Sequence, residues 1–509
     1  MPSLLDLTPE LVDLTCQWGD EASLLALRLV CRDLAAKTLN QVKARFFTDV
    51  QIFVTKDDLQ WLRDVSQHPT FRYSVRKLWI RPCLFENRLL LSYYQWGLCR
   101  EFRNVERPDR VDWRPEQGYQ AYKNAMGDYL ELVTTEKLHD ALRDCIASLP
   151  NLQHVHIYQK RIDDMECHGD PPIRPTIPRR RVWERLTNNI GLNPVGEDLP
   201  MPPRFAEQPN AHAFVFMALL KVLAVGRSAS VNDDEYSIDT LDLCSSQDSD
   251  CGIVSPRYIA LSRADWSEWG PAFQHLKCRH LYISLCSYPE GARPRSSESL
   301  GGTDSIFMRA FAETTPHLKS LILQYQNQGP AGFITLSKSA RFTRLEILVL
   351  AEFYTTSNAM IEFLRTAAPT VRQLRIQRVI LATVDRALSV RQQRLPPEEI
   401  RTAWYQVWNF IKTSMEDLQL LYFNIPTVPG LRVTNPLRGR VGGWYKGSSV
   451  PTNCYDAAVT DMVLAEWIDQ LGFENGDDGE IDLHEFDKEE TPRRYGKATK
   501  LGMTRRSDG

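Results

Sequence analysis

The sequence predicts an α/β fold: a small helical hairpin at the N-terminus, then helix–strand units that stack into a solenoid with irregular insertions. Three observations predict it. Apolar residues recur at helical spacing between Leu7 and Leu34. A hexapeptide of the form apolar-x-x-apolar-x-apolar occurs eight times in order between Val75 and Phe423. Amphipathic segments of helical period precede most of these hexapeptides, and Pro150, Pro316 and Pro369 each stand between a helix and its strand.

The N-terminal stretch is LTPELVDLTCQWGDEASLLALRLVCRDL. Thr8 before Pro9 and Glu10 marks an N-cap followed by proline at the first helical position. Leu24, Leu25, Leu27, Val30, Cys31 and Leu34 keep close to one stripe. A helix pair this short cannot bury such a stripe on itself, so it requires the rest of the chain or a partner. Residues 39–47 extend the helical region, Val50–Val54 form a strand, and Lys56–Val65 form a helix with Leu59, Trp61, Leu62 and Val65 inward.

The eight hexapeptides are Val75–Ile80, Leu152–Ile157, Ile238–Leu243, Cys278–Ile283, Leu318–Leu323, Leu345–Leu350, Val371–Ile376 and Leu418–Phe423. Helices are expected at Glu136–Ala147, Ser305–Ala312, Asn358–Ala368 and Glu398–Thr413. Side chains alternate along a strand, so the fourth and sixth places point inward and those between them outward. Each unit buries one face, and the units must stack to cover it. The copies start 77, 86, 40, 40, 27, 26 and 47 residues apart, and the longer gaps require insertions. The outward face then carries Trp79, Arg81, His156, Tyr158, Asp242, Tyr282, Gln324, Arg375, Gln377, Tyr422 and Asn424. Aromatic and arginine side chains dominate binding energetics. Trp79, His156, Tyr158, Tyr282, Arg375, Gln377, Tyr422 and Asn424 are therefore the candidate contacts to a protein ligand.

Two resemblances follow. The order Leu7, Pro9, Glu10, Leu11, then Leu24, Leu25, Leu27, Val30, Cys31 and Arg32 resembles the F-box. Thr15 and Gly19 replace two apolar positions of that motif's first helix, and Leu34 replaces its final aromatic. The hexapeptide array resembles the divergent leucine-rich-repeat-like domain that often follows an F-box, especially in fungal proteins, although the Asn or Cys usual after the strand is mostly missing. The resemblance implies docking on the Skp adaptor of a cullin–RING ubiquitin ligase through Leu7, Pro9, Leu11, Leu24, Leu25, Leu27, Val30 and Cys31. Leu25 is expected to be buried in that adaptor. The array would present a protein substrate, with no catalytic residue in this chain. The alternative is a repeat scaffold whose first helices only cap it, with no ligase role.

The expected layout is the hairpin over 1–48, the array over 49–424 with insertions near 84–135 and 160–235, an irregular segment and capping helix over 425–472, and a disordered tail over 473–509. The capping helix is placed at Asp456–Leu471. The segment from Leu84 to Tyr129 is rich in Tyr, Trp and Arg. Asp163–Asn210 is crowded with proline, and Ser245–Pro256 and Ser287–Asp304 are polar loops.

Composition limits the remaining classes. A chain of 509 residues with net charge −3 carries no overall field that favours nucleic acid or membrane as a partner. Eleven cysteines with no CxxC pair, and no signal-peptide pattern, predict free, mostly buried thiols in the cytoplasm or nucleus. The longest apolar run, Ala213–Val225, is too short to span a bilayer. No Walker loop, G-x-S-x-G elbow or H-E-x-x-H motif occurs, and neither a cofactor nor a metal is expected. Two metal-binding alternatives were weighed. His154 and His156 share one strand face, with Cys167 and His168 following. Glu474–Glu485 resembles an EF-hand loop at Asp478, Gly479, Ile481, Asp482 and Glu485, but has glycine at its third place. An outward strand face and a solvated acidic linker account better for both.

Overall fold

The computed structural model describes residues 4–81, 135–157, 211–226, 238–243, 276–286, 307–326, 330–352, 354–377, 379–382, 397–424, 431–434, 453–456 and 463–475, with single positions in 120–132 and at 273–274. The insertions at 84–119 and 158–210 and the tail from 476 lie outside them. Two compact units are present, Met1–Arg293 and Pro294–Gly509. The division falls inside the polar Ser287–Asp304 segment.

Unit 1 opens with α1 (Pro9–Trp18), α2 (Glu21–Val30), α3 (Arg32–Lys37) and α4 (Leu39–Val42), followed by a π-helical turn at Lys43–Phe47. Pro9 takes the first helical position, as its missing N–H allows. Asp20 caps α2, its side chain accepting from the Ser23 N–H at 2.6 Å. The expected stripe through Leu34 is interrupted, because Cys31 is extended (φ −162, ψ 166) and separates α2 from α3. Val12, Cys16, Leu24, Val42 and Phe46 form the buried cluster of these helices, with Leu7, Leu25, Leu27, Phe47 and Phe71 packed around it.

Arg45 closes the C-terminal end of α1. Its guanidinium donates to the carbonyls of Cys16 at 2.5 Å, Gly19 at 2.6 Å and Gln17 at 2.8 Å. Those carbonyls lie at the negative end of the helix dipole, where the i+4 N–H partners run out, and the Cys16 carbonyl also accepts from the Gly19 N–H at 3.2 Å. Arg45→Met is expected to lower stability by about 1.5–3 kcal/mol, the usual worth of charge-assisted hydrogen bonds. Urea titration of the full chain followed by circular dichroism checks this, and an unchanged midpoint would refute it.

The remainder of unit 1 alternates strands and helices: β1 (Asp49–Phe53), α5 (Lys56–Gln67), β2 (Lys77–Arg81), α6 (Lys137–Ala147), β3 (His154–Ile157), α7 (Ala211–Gly226), β4 (Ile238–Leu243) and β5 (Cys278–Cys286). The strands lie side by side in chain order, each parallel to the one before. Parallel neighbours need crossover connections, which the intervening helices supply. Asp58 of α5 is buried and accepts from the Phe53 N–H at 2.7 Å, tying β1 to the helix that follows it.

Unit 2 repeats the scheme with β6 (Ser320–Gln326), α8 (Pro330–Ser339), β7 (Ile347–Ala351), β8 (Tyr354–Thr356), α9 (Ser357–Ala367), β9 (Gln373–Gln377), β10 (Ile380–Ala382), α10 (Pro397–Ser414) and β11 (Leu420–Asn424). Strands β6, β7, β9 and β11 are parallel neighbours, while β8 and β10 form a separate parallel pair. The chain is therefore a mixed α/β protein with parallel strands.

Every described residue at the first, fourth and sixth places of the eight hexapeptides is buried, from Val75, Leu78 and Ile80 to Leu418, Leu421 and Phe423. The opposite face is less uniform than alternation predicts. Trp79, His156, Asp242, Tyr282, Arg375 and Tyr422 are partly exposed, but Thr240, Ser320 and Val349 are buried.

The C-terminal region departs from expectation. Residues 456–471 are not one helix: β13 (Asn453–Asp456) runs antiparallel to β11, and α11 covers only Leu464–Asp469. An open strand edge leaves backbone donors and acceptors that β13 satisfies. The segment read as irregular contains β12 (Leu431–Thr434), paired with β14 (Gly472–Asn475). Glu474, the first position of the EF-hand-like stretch, is thus extended strand opposite Arg432. The rest of that stretch lies outside the described residues.

Candidate functional site

Two surfaces carry side chains suited to recognition. The first belongs to the N-terminal helices. On α1, Val12 and Cys16 face the buried cluster, while Leu11, Leu14 and Trp18, spaced by three and four residues, form a second apolar stripe that faces outward. Trp18 is 88% exposed, Leu14 52% and Leu11 48%. At the end of α2, Leu29 is 88% and Val30 68% exposed. A helix that is apolar on two faces buries only one of them within this unit. Thr15 donates its hydroxyl to the Leu11 carbonyl at 2.8 Å, which satisfies it within the helix. Glu10, in the first turn, accepts from its own backbone N–H and from Thr8, and both interactions lower its pKa.

The sequence-derived docking residues fall into two groups. Pro9, Leu11 and Val30 are exposed. Leu24 is buried, and Leu7, Leu25 and Leu27 are partly buried against the cluster, so they support the surface from beneath. Leu25 therefore has a partner inside the unit. Cys31 is partly buried at the break between two helices. Leu14, Trp18 and Leu29 were missed, although their spacing alone (Leu11, Leu14, Trp18) signalled an outward stripe.

The second surface is the strand face. In unit 1, parallel register aligns Gln51, Trp79, His156, Asp242 and Tyr282 in one row across β1 to β5. The indole of Trp79 stacks on His156, with ring centroids 3.8 Å apart and planes 11° apart. Nδ1 of His156 lies 3.1 Å from Oδ2 of Asp242. The neighbouring row aligns Asp49, Lys77, His154, Thr240 and His280. Tyr158 lies outside the described residues. In unit 2, Arg375 aligns with Tyr422, and Gln377 with Asn424. Beside them Glu352 adopts φ 58, a left-handed conformation costly for a side chain with a Cβ, and its carboxylate accepts from Gln324 Nε2 at 2.8 Å.

The described residues place no third metal ligand beside the histidine pair. The rings of His154 and His156 stack 6.4 Å apart, and among the described residues no group of three or more His, Cys, Asp or Glu could hold a metal ion. Cys167 and His168 lie outside those residues. Cys16, Cys31, Cys145 and Cys278 are free thiols, and burial pushes Cys145 up to about 11 and Cys278 up to about 12, which keeps them protonated and inert.

Burial, with the adjacent His156 imidazole as a second cause, holds His154 below the ordinary histidine value of 6.5. The unfolded chain then binds more protons than the folded one as pH falls below 6.5, so stability is highest above that value and declines beneath it. Melting at pH about 7.5 and about 5.5 should show a larger drop in Tm for the wild type than for His154→Gln. Equal drops would contradict the assignment.

No protein-family model and no curated protein matches this chain. Among the described residues, no helix is long and apolar enough to cross a membrane.

Proposed function

We propose that this protein is an F-box-type substrate-recognition subunit of a cullin–RING ubiquitin ligase, acting in the cytoplasm or nucleus. Its N-terminal helices dock the Skp adaptor, and its leucine-rich-repeat-like strand face holds a protein substrate. The observation that carries this reading is the outward stripe of Leu11, Leu14 and Trp18 with Leu29 and Val30, on helices that already own a buried core. Apolar surface left over after a core is complete marks a partner site. The F-box-like spacing of Leu7, Pro9, Glu10, Leu11 and Leu24–Arg32 names the class of partner. Chain-ordered parallel strands joined by helices are what a stacked helix–strand array produces, and such arrays present a long face to a ligand.

In this role the chain positions other molecules and performs no chemistry of its own. The adaptor tethers it to the ligase, and the substrate held on the strand face comes within reach of the ubiquitin-carrying subunits. Co-expression of the full chain with the Skp adaptor, followed by size-exclusion chromatography, tests the reading. Co-elution in a one-to-one complex is expected. Separate elution would leave an interaction scaffold without a ligase role.

A further inference from the structure

The sheet of unit 2 carries an unmatched charge on β9. Gln373, Arg375 and Gln377 alternate with the buried Leu374 and Ile376, so all three stand on the outer face, partly exposed. Successive side chains on one face of a strand are about 6.5–7 Å apart. Among the described residues, none forms a hydrogen bond, ion pair or ring contact with any of these three side chains. Arg375 is also the only charged residue among those of β6, β7, β9 and β11. Register places Val349 on one side of it and Tyr422 on the other, with Ile322 beyond Val349. Carboxylates on the adjoining segments face other groups. Glu346 pairs with Lys319 at 3.4 Å, Asp417 pairs with Arg372 at 2.7 Å, and Glu352 accepts from Gln324 at 2.8 Å. Strand β13 brings Asp456 opposite Leu420, one strand further from β9 than β11. A partly buried guanidinium without a partner has given up hydration that nothing in the fold replaces. A carboxylate replaces it best, by accepting two parallel hydrogen bonds.

We propose that this strip of β9 binds an aspartate or glutamate side chain on an extended segment of a protein ligand. The carboxylate accepts from the Arg375 guanidinium, and Gln373 and Gln377 hydrogen-bond the residues on either side of it. The inference rests on the strand face being the ligand-binding face, and it is independent of adaptor docking. The neighbours of Arg375 favour a carboxylate over a phosphoryl group. A phosphorylated side chain carries nearly two negative charges and is usually met by a cluster of cations. One guanidinium between two neutral amides matches a single charge. Val349 and Tyr422 beside it keep part of the water away, so the ion pair is screened less than one between fully exposed side chains.

The test uses the full chain and one peptide scaffold, the heptapeptide amide Ala-Thr-Ala-X-Ala-Thr-Ala, in which X is glutamate, glutamine, lysine or phosphoserine. Each peptide carries the same neutral fluorophore, and anisotropy reports binding. The glutamate peptide should bind saturably and at least about tenfold more tightly than the glutamine peptide, as one charge-assisted hydrogen-bonded pair allows. The lysine peptide should be the weakest. Arg375→Gln should bring the glutamate peptide down to the level of the glutamine peptide and leave the latter unchanged. Arg375→Lys keeps the charge without the planar fork and should weaken the glutamate peptide at least about threefold. It carries the test if Arg375→Gln fails to fold. Adaptor capture by either folded variant should stay unchanged, so failure here is distinguishable from failure of the ligase assignment. Equal binding of the glutamate and glutamine peptides, or a glutamate preference that survives Arg375→Gln, would overturn the proposal. Tighter binding of the phosphoserine peptide would overturn the choice of a carboxylate. No saturable response in folded wild type, as when the acidic stretch Glu474–Glu490 of this chain fills the site, would overturn the assignment to a protein ligand.

Discussion

Replacing Leu14 and Leu29 together by aspartate is expected to abolish adaptor capture while leaving the fold intact. Both side chains are largely exposed, Leu29 at 88% and Leu14 at 52%, so the substitutions remove little internal packing. Surface changes of this kind shift stability by about 0.5 kcal/mol or less. In a docked complex each leucine would contribute about 1.5–3 kcal/mol by burial. Aspartate forfeits that contribution and adds the cost of desolvating a charge. The combined loss should weaken binding by at least about 100-fold, since 1.36 kcal/mol is a factor of ten. Trp18→Ala should lose about 30-fold alone, as expected of a tryptophan anchor. Isothermal titration with purified adaptor measures both. Leu25→Asp is a poorer probe, because Leu25 packs on the Val12–Cys16–Leu24 cluster and its loss would unsettle the helices themselves. Unchanged affinity in the double variant would remove the docking surface from the account.

Leu374→Ala is expected to cost about 2–5 kcal/mol of stability, the usual range for truncating a buried leucine where neighbours cannot collapse into the void. Leu374 is fully buried on β9, between β7 and β11, and aligns with Leu348 and Leu421. All three occupy the fourth place of their hexapeptides. The adjacent Arg375 points to the opposite face, and Arg375→Ala should move stability by about 0.5 kcal/mol or less. The contrast tests register as well as burial, because a slip by one residue would exchange the two outcomes. Chemical denaturation followed by near-ultraviolet circular dichroism would show it. Similar costs for the two variants would contradict the strand assignment.

The repeated hexapeptides were legible because the same three places are apolar every time, and burial at those places is what the fold requires of them. Pro150 and Pro369 helped for a simple reason: each follows a helix and forbids its continuation. Strands β8, β10, β12 and β14 were illegible, being three or four residues long and held by pairing with distant partners rather than by a pattern of their own. The same holds for β13, whose antiparallel place beside β11 is a property of the sheet edge. Arg45 escaped notice because its role depends on carbonyls at positions 16, 17 and 19, which only the turn at Lys43–Phe47 brings near.

The candidate sites were half legible. Trp79, His156 and Tyr282 were chosen as outward strand residues, but the hydrogen bond between His156 and Asp242 spans 86 positions of sequence and appears only in the register. On the N-terminal helices the F-box-like spacing drew attention to Leu24, Leu25 and Leu27, which support the fold. Trp18 and Leu29, the most exposed apolar side chains there, fall outside that spacing.

Hydrogen exchange of the full chain with and without the Skp adaptor tests the central claim most directly. Slowed exchange is expected along α1 and α2, over residues 9–30, with the amides of β3, β7 and β9 unchanged because the strands are not the docking site. An absence of protection in α1 and α2 under saturating adaptor, or protection confined to the strands, would contradict the assignment of the N-terminal helices as the adaptor-binding surface.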